Sequence, residues 1–385
     1  MTLRTAALSA GVLLHICVVG AASLRAGQQS APATANQSIG GLSPDRTGQD
    51  IYRATCVSCH GPDGKGMPRS SVGFQTPLPD FTDCAFATAE ADPDWHAVVT
   101  RGGRIRGLDR HMPAFGDALS SGDIELVVEY VRGFCADRAK WPQGDLNLPR
   151  AFFTEKAFPE NEMVWTTAFT SRGAKRVDNV LIYERRFGPR NQLEIAAPVA
   201  FMQNGAGGWS KGVGDIAFAF KRAFYASMAT GAVMAAGGEV VFPSGNEAAG
   251  LGGGHFVYEP FAMYGQVLPR NSFLQFHGGL EVPSDSAVAS KEAFLRASVG
   301  TTLLQDRGFG RAWSPQVEVL WARPFGGTPE WDVVPQLQIS LSKIQHVVIA
   351  GGVRIPVNAR QSRSNQVLVY FLWDWFDGSL FDFWK

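Results

Sequence analysis

The run Cys56-Val57-Ser58-Cys59-His60, followed well downstream by Met112-Pro113-Ala114-Phe115, decides how the first part of the chain is read. A C-x-x-C-H pentapeptide is the attachment pattern of c-type haem. Each cysteine adds through sulfur to one vinyl group, and the adjacent histidine is held beneath the iron as the proximal ligand. Cys56 and Cys59 are therefore expected as covalent thioether positions for one haem c, and His60 as an axial iron ligand. A bare C-x-x-C would also suit a zinc knuckle or a redox dithiol. No second C-x-x-C or H-x-x-x-H follows at zinc spacing, and no βαβ pattern surrounds it.

A distal ligand has to approach from a loop on the side opposite His60. Met112-Pro113 supplies a stiff loop of that kind just before a helix, so Met112 is the expected second axial ligand. Met67 follows His60 too closely to cross to the other haem face, and His96 falls on a helix surface or at the haem edge. His111 remains an alternative, which would make the ligation bis-histidine. A filled sixth position suits the passage of single electrons better than oxygen or peroxide chemistry, and Met/His ligation raises the reduction potential. No catalytic residue is singled out: there is no nucleophilic triad or phosphate loop, and His255, His277 and His346 stand isolated.

From Ser43 to about Cys135 the sequence resembles the mono-haem class I cytochrome c family. The resemblance is carried by a first helix over Gln49 to Thr55, by Cys59-His60-Gly61-Pro62-Asp63-Gly64-Lys65-Gly66, and by the Met112 loop. A short helix over Asp94 to Arg101 follows, with Trp95, Val98 and Val99 on one side. A last helix over Gly122 to Phe134 has Ile124, Val127, Val128 and Val131 at helical spacing behind a cap at Ser120 or Ser121. The resemblance implies an all-α domain over residues 43–139 and supports Met112 as the distal ligand.

The chain has 385 residues, and 35 Lys+Arg balance 35 Asp+Glu, which gives no reason to expect a nucleic-acid partner. With 43 glycines, 11% aromatic and 18% charged residues, the composition leans toward β-rich or membrane-associated structure. Arg4, the apolar stretch Ala6 to Ala22 and the small residues around Gly20-Ala21-Ala22-Ser23 read as a signal peptide over 1–26. An uncleaved anchor is the alternative, and bulky Ile16 argues against lipidation of Cys17. A flexible linker is expected over 27–42. In an oxidising compartment, Cys84 and Cys135 are a candidate disulfide, with two buried free thiols as the alternative.

Residues 140–161, with Pro142, Pro149 and Pro159, read as a second linker. Beyond it the pattern becomes period two. Leu193, Ile195, Ala197, Val199 and Phe201 share one face and Gln192 and Glu194 the other. The alternation returns in Asp215 to Lys221, Gln336 to Leu341, His346 to Val357 and the run Val367, Val369, Phe371, Trp373 and Trp375. About 12 strands of roughly ten residues fit a closed antiparallel barrel over 162–385, with short and long connections alternating as in outer-membrane proteins. The polar face, with Glu194, Asp215, Lys221, Glu259, Glu281, Arg296, Glu318, Arg354 and Asp374, is expected to line a wet lumen. A soluble β domain would alternate in the same way.

Gly212-Val213-Gly214-Asp215-Ile216, Gly238 to Gly245 and Gly252-Gly253-Gly254 resemble the outer-membrane barrels associated with meta-pathway phenol degradation. The layout as a whole is similar to fused cytochrome-porin proteins. The fold expected is thus multidomain: an all-α cytochrome c domain followed by an all-β antiparallel barrel. The function expected is single-electron transfer by an outer-membrane protein with its haem domain on the periplasmic side. Its partners would be lipid and a redox protein or an extracellular electron donor or acceptor. A solute pore with a tethered redox module and a soluble periplasmic cytochrome subunit of a dehydrogenase remain open, as does any enzymatic activity.

Overall fold

The computed structural model describes residues 45–73, 77–106, 108–170, 175–203, 208–303, 311–343 and 345–375. The expected signal peptide 1–26 with Cys17, the linker 27–42, and Phe381, Phe383, Trp384 and Lys385 lie outside them.

The first part is helical: α1 (Gly48–Thr55), α2 (Val57–His60), α3 (Arg69–Val72), α4 (Cys84–Ala87), α5 (Asp92–Arg101) and α6 (Ser121–Arg132). Thr47 and Ser120 open α1 and α6 through reciprocal capping boxes with Asp50 and Asp123, which satisfy backbone N–H groups that the first turn leaves free. The expected stripe of α6, Ile124, Val127, Val128 and Val131, is buried against Ile51 and Tyr52 of α1 and against Phe81 and Leu119. Each such side chain contributes about 1.5–3 kcal/mol of burial. The two helices approach so closely that a Cβ at Gly48 would collide with the Leu126 carbonyl.

The second part is a barrel of β1 (Glu162–Thr170), β2 (Arg176–Phe187), β3 (Asn191–Gln203), β4 (Trp209–Val213), β5 (Ala217–Ser227), β6 (Ala232–Val241), β7 (Val257–Leu268), β8 (Ser272–Pro283), β9 (Glu292–Thr301), β10 (Trp313–Pro324), β11 (Glu330–Ser340), β12 (Val347–Pro356) and β13 (Gln366–Asp374). All pairings are antiparallel. The sheet closes where β1 meets β13, with Glu162 opposite Asp374 and Thr170 opposite Gln366, which leaves, among the described residues, only the short β4 paired on one side. β4 and β5 share one place beside β3: Val199 to Gln203 face Val213 to Trp209, and Asn191 to Ala196 face Arg222 to Ala217. Thirteen strands with one shared place make twelve staves, matching the sequence expectation. At the break, the Gly214 N–H donates to the Pro198 carbonyl at 2.8 Å. The Asp215 carboxylate turns aside to accept from the N–H groups of Gly245 (2.8 Å) and Gly253 (2.7 Å) in the loop between β6 and β7.

Alternation alone cannot say which face points in. Here the apolar face points out: Leu193, Ile195, Val199, Phe201, Phe218, Phe220 and Phe224 are exposed, while their neighbours Gln192, Glu194 and Lys221 are buried. The turns at 188–190, 228–231 and 269–271 lie at the end where β1 begins and β13 stops, and the long connection 242–256 lies at the other.

The expectation of a wet lumen is corrected for part of the wall. Glu318 is 0% exposed, Lys221 4% and Glu194 6%, and every stave contributes a buried inward residue, from Val164 on β1 to Tyr370 on β13, whereas Asp215, Glu259, Glu281, Arg296, Arg354 and Asp374 are half-buried. The reason is the stretch 143–160. Expected as part of a linker, it re-enters the barrel from the base. Lys140 and Trp141 mark its entry: the Lys140 carbonyl accepts from Arg190 Nε at 2.8 Å, and the Arg186 guanidinium lies 4.7 Å over the Trp141 ring. Inside, Gln275 and Gln316 donate to the carbonyls of Pro149 and Arg150, each at 2.9 Å. Tyr370 donates to the Arg150 carbonyl at 2.8 Å. Glu318 accepts from three successive amides, Phe152 (3.0 Å), Phe153 (3.0 Å) and Thr154 (2.7 Å). Arg150 pairs with Glu162 (2.6 Å) and Glu184 (2.8 Å). The segment then returns to the base, where the Glu160 N–H donates to Gln192 at 2.6 Å.

Candidate functional site

The first candidate residues are set by one helical turn. Cys56 caps α2, and Cys59 and His60 donate their N–H groups to its carbonyl at 3.2 and 2.9 Å. Gly61, at φ 74°, ends the turn in a conformation that favours glycine, and its carbonyl accepts from buried Tyr52 Oη at 2.6 Å. The following loop folds back on the turn: the Gly66 N–H reaches the His60 carbonyl (2.9 Å) and the Met67 N–H the Cys59 carbonyl (2.8 Å). The latter bond places the Met67 backbone beside the Cys59-His60 turn.

The His60 imidazole stacks on Phe81 with ring centroids 4.8 Å apart, and Phe81 in turn meets Trp95 at 5.7 Å. Cys56, Val57, Phe86, Trp95, Val99 and Phe115 pack around this core. Burial pushes the His60 imidazole below its ordinary value of 6.5, which keeps it neutral, as a metal ligand must be. Burial likewise pushes the Cys56 thiol up. His60 Nδ1 is buried without a hydrogen-bond partner.

Met112 sits on the loop after α5. Its carbonyl accepts from the Gly103 N–H at 3.0 Å, and the Phe115 N–H bonds to the Val99 carbonyl at 2.9 Å, so the loop is fastened to the end of α5 at two points. A Cβ on Gly103 would press on the Asp109 carbonyl and the Met112 Cβ. His111 is exposed, with Nδ1 2.6 Å from Asp109 Oδ1. His96 lies on α5. Cys84, at the start of α4, and Cys135, just after α6, form a disulfide with Cα atoms 5.1 Å apart.

These residues fit a haem. Among the described residues no three His, Cys, Asp or Glu side chains converge as a metal site, and the Cys56-Cys59-His60 group is no exception. A metal held here would have to bring ligands of its own, as a porphyrin does. Two unpaired thiols, a neutral imidazole and an aromatic wall beside it form the donor set such a group needs. Phe81 was not singled out from sequence. Its signal there is only an aromatic between two polar residues, Asp80 and Thr82.

Residues 43–131 match the family described as cytochrome C oxidase, cbb3-type, subunit III. The helical part is thus a cytochrome c-type domain. No curated protein matches the chain. Among solved structures, the KdgM porin in complex with disordered oligogalacturonate aligns at 9% identity over 55% of this chain and 98% of its own, with a TM-score of 0.37. The NanC porin aligns at 9% identity over 55% and 98%, with a TM-score of 0.39. The translocator domain of the autotransporter NalP from Neisseria meningitidis aligns at 10% identity over 55% and 86%, with a TM-score of 0.30.

Proposed function

We propose that the protein is an outer-membrane electron carrier in which one covalently bound haem c passes single electrons and the barrel fixes it at the membrane. The observation that carries the reading is the pairing of the Cys56-Cys59-His60 turn, backed by Phe81, with a barrel that exposes a band of large apolar side chains on its outer face, among them Leu193, Phe218, Phe220 and Phe224. A soluble sheet would hide Leu193, Phe220 and Phe224, whereas a lipid-facing wall exposes them.

When bound, the haem supplies a reversible one-electron couple. Cys56 and Cys59 would hold it through thioether bonds, and His60 and Met112 would supply the protein's ligands to its iron. The fastening of the Met112 loop to α5 would hold the thioether in place as a ligand, which suits the passage of electrons better than the binding of small molecules. The helical domain packs at the barrel end where β1 begins and β13 stops, the end of the turns at 188–190, 228–231 and 269–271. In bacterial outer membranes that end faces the periplasm, so the haem would face a periplasmic redox protein. The signal peptide over 1–26 accords with this placement. The electron donor or acceptor on the far side belongs to the extracellular medium.

Expression in a host with haem-attachment machinery, followed by outer-membrane fractionation and gels of heated and unheated samples stained for haem, tests the reading. A haem-staining band whose mobility shifts on heating is expected. Haem staining confined to the soluble periplasm would instead make the protein a soluble cytochrome subunit.

A further inference from the structure

We infer that residues 143–160 form a retractable stopper, and that the barrel behind it is a polar channel held shut. Three observations lead there. First, the segment covers much of the inner wall: Glu184, Gln275, Ser298, Glu318, Val334 and Tyr370, spread over six staves, are each no more than 2% exposed.

Second, the segment enters and leaves by the same end. Its two legs are tied to each other, with Lys156 Nζ 3.3 Å from Asn147 Oδ1 and Asn147 Nδ2 3.4 Å from Glu160 Oε2. A hairpin with both ends at the base can be withdrawn without any strand parting.

Third, the wall it covers is chemically that of a channel. Beside apolar residues such as Val164, Phe273, Leu320, Val334 and Leu368, it carries Gln192, Glu194, Lys221, Gln275, Ser298 and Gln316, polar side chains that a permanently dry core has no need of. Many of the contacts are hydrogen bonds from these side chains to the segment's backbone, which water can replace at small net cost. Glu318 is a principal anchor, since one carboxylate gathers three amides and the Gln336 side chain. Leu146, Ala157 and Phe158 add an apolar contact near the base, against Ala223, Val233 and Met263, and Phe152 and Phe153 pack against Leu320, Val334 and Leu368.

Full-length, haem-loaded protein in planar lipid bilayers should show no conductance steps, and Glu318→Ala should raise the open fraction at least tenfold. A Ser298→Cys variant reads the same event chemically, in detergent micelles. A charged thiol reagent should leave Cys at 298 unmodified while modifying a Ser286→Cys control on an exposed loop. In the Ser298→Cys background, urea below the unfolding range should speed labelling at 298 while the barrel keeps its heat-modifiable mobility. This last measurement decides the matter should Glu318→Ala fail to assemble. Wild-type conductance at the level of an open barrel would overturn the inference. So would a folded Glu318→Ala protein that stays silent, or labelling at 298 only when the barrel itself unfolds. The inference rests on the membrane reading for its conductance arm alone. Failure of that reading would show as failure to insert, whereas the labelling arm needs no membrane.

Discussion

Arg46 and Asp123 lock the start of the helical domain to the start of its last helix. Arg46 Nε lies 2.8 Å from Asp123 Oδ1, and the same carboxylate receives the Ser120 N–H (3.0 Å) and hydroxyl (2.7 Å). These donors hold the Asp123 carboxyl down to about 2 from its ordinary 3.8, the Arg46 hydrogen bond being the largest cause. A carboxyl with a lowered folded value stabilises the fold fully above its unfolded value, and that stability is lost as pH falls through the folded one. The helical domain should therefore weaken between about pH 4 and pH 2. Asp123→Asn should flatten the dependence in that window, read by near-ultraviolet circular dichroism. An unchanged acid transition in the variant would count against the coupling.

The Cys84–Cys135 disulfide joins residues 51 apart in sequence. A loop of that length is worth on the order of 4 kcal/mol in the chain-entropy treatment. Replacing both cysteines by serine should lower the thermal midpoint of the helical domain by several degrees and leave the barrel transition in place. Calorimetry that separates the two transitions provides the check. A shift in the barrel transition of equal size would mean that the two parts melt together.

Met112→Ala should lower the reduction potential, by roughly 0.1 V against the ~0.8 V that axial ligands span, and should let added imidazole bind the ferric haem. His111→Ala should do neither. Potentiometric titration with ligand-binding spectra distinguishes them, and the reverse result would assign the distal position to His111.

On the outer wall, Phe220→Arg should impair assembly of the barrel by roughly 2–4 kcal/mol if the site lies near the bilayer midplane. The heat-modifiable band measures this directly. A soluble β domain would tolerate the same change or gain solubility from it.

Much of this architecture is legible one residue at a time. Ile124, Val127, Val128 and Val131 mark the buried side of α6 by spacing alone, and Leu193 to Phe201 mark one face of β3. What spacing cannot carry is direction. Phe220 and Lys221 alternate identically whether the phenylalanine faces a core or a lipid, and only closure of the sheet between β1 and β13 fixes the choice. The stopper was hidden for a different reason. Its prolines at 149 and 159 mark it as a connection, and the partners that hold it are remote, with Glu318 lying 166 positions from Phe152. One sign was present: Phe152, Phe153, Glu155, Lys156 and Phe158 are too bulky and too charged for a solvated spacer. The break between β4 and β5 left its trace in Gly212 and Gly214, where two glycines interrupt an otherwise regular alternation.

The helical domain completes its core and its disulfide with its own residues, whereas the barrel cannot fill its interior without the hairpin that precedes β1. Biogenesis is thereby given an order. The amino-terminal part emerges first and can mature alone. The strands that follow must either zip up around a hairpin already in position or receive it from below once the wall is complete. In both cases the hairpin is presented by a finished globule waiting at the base, so a defect in the small domain would show itself first as a misassembled large one.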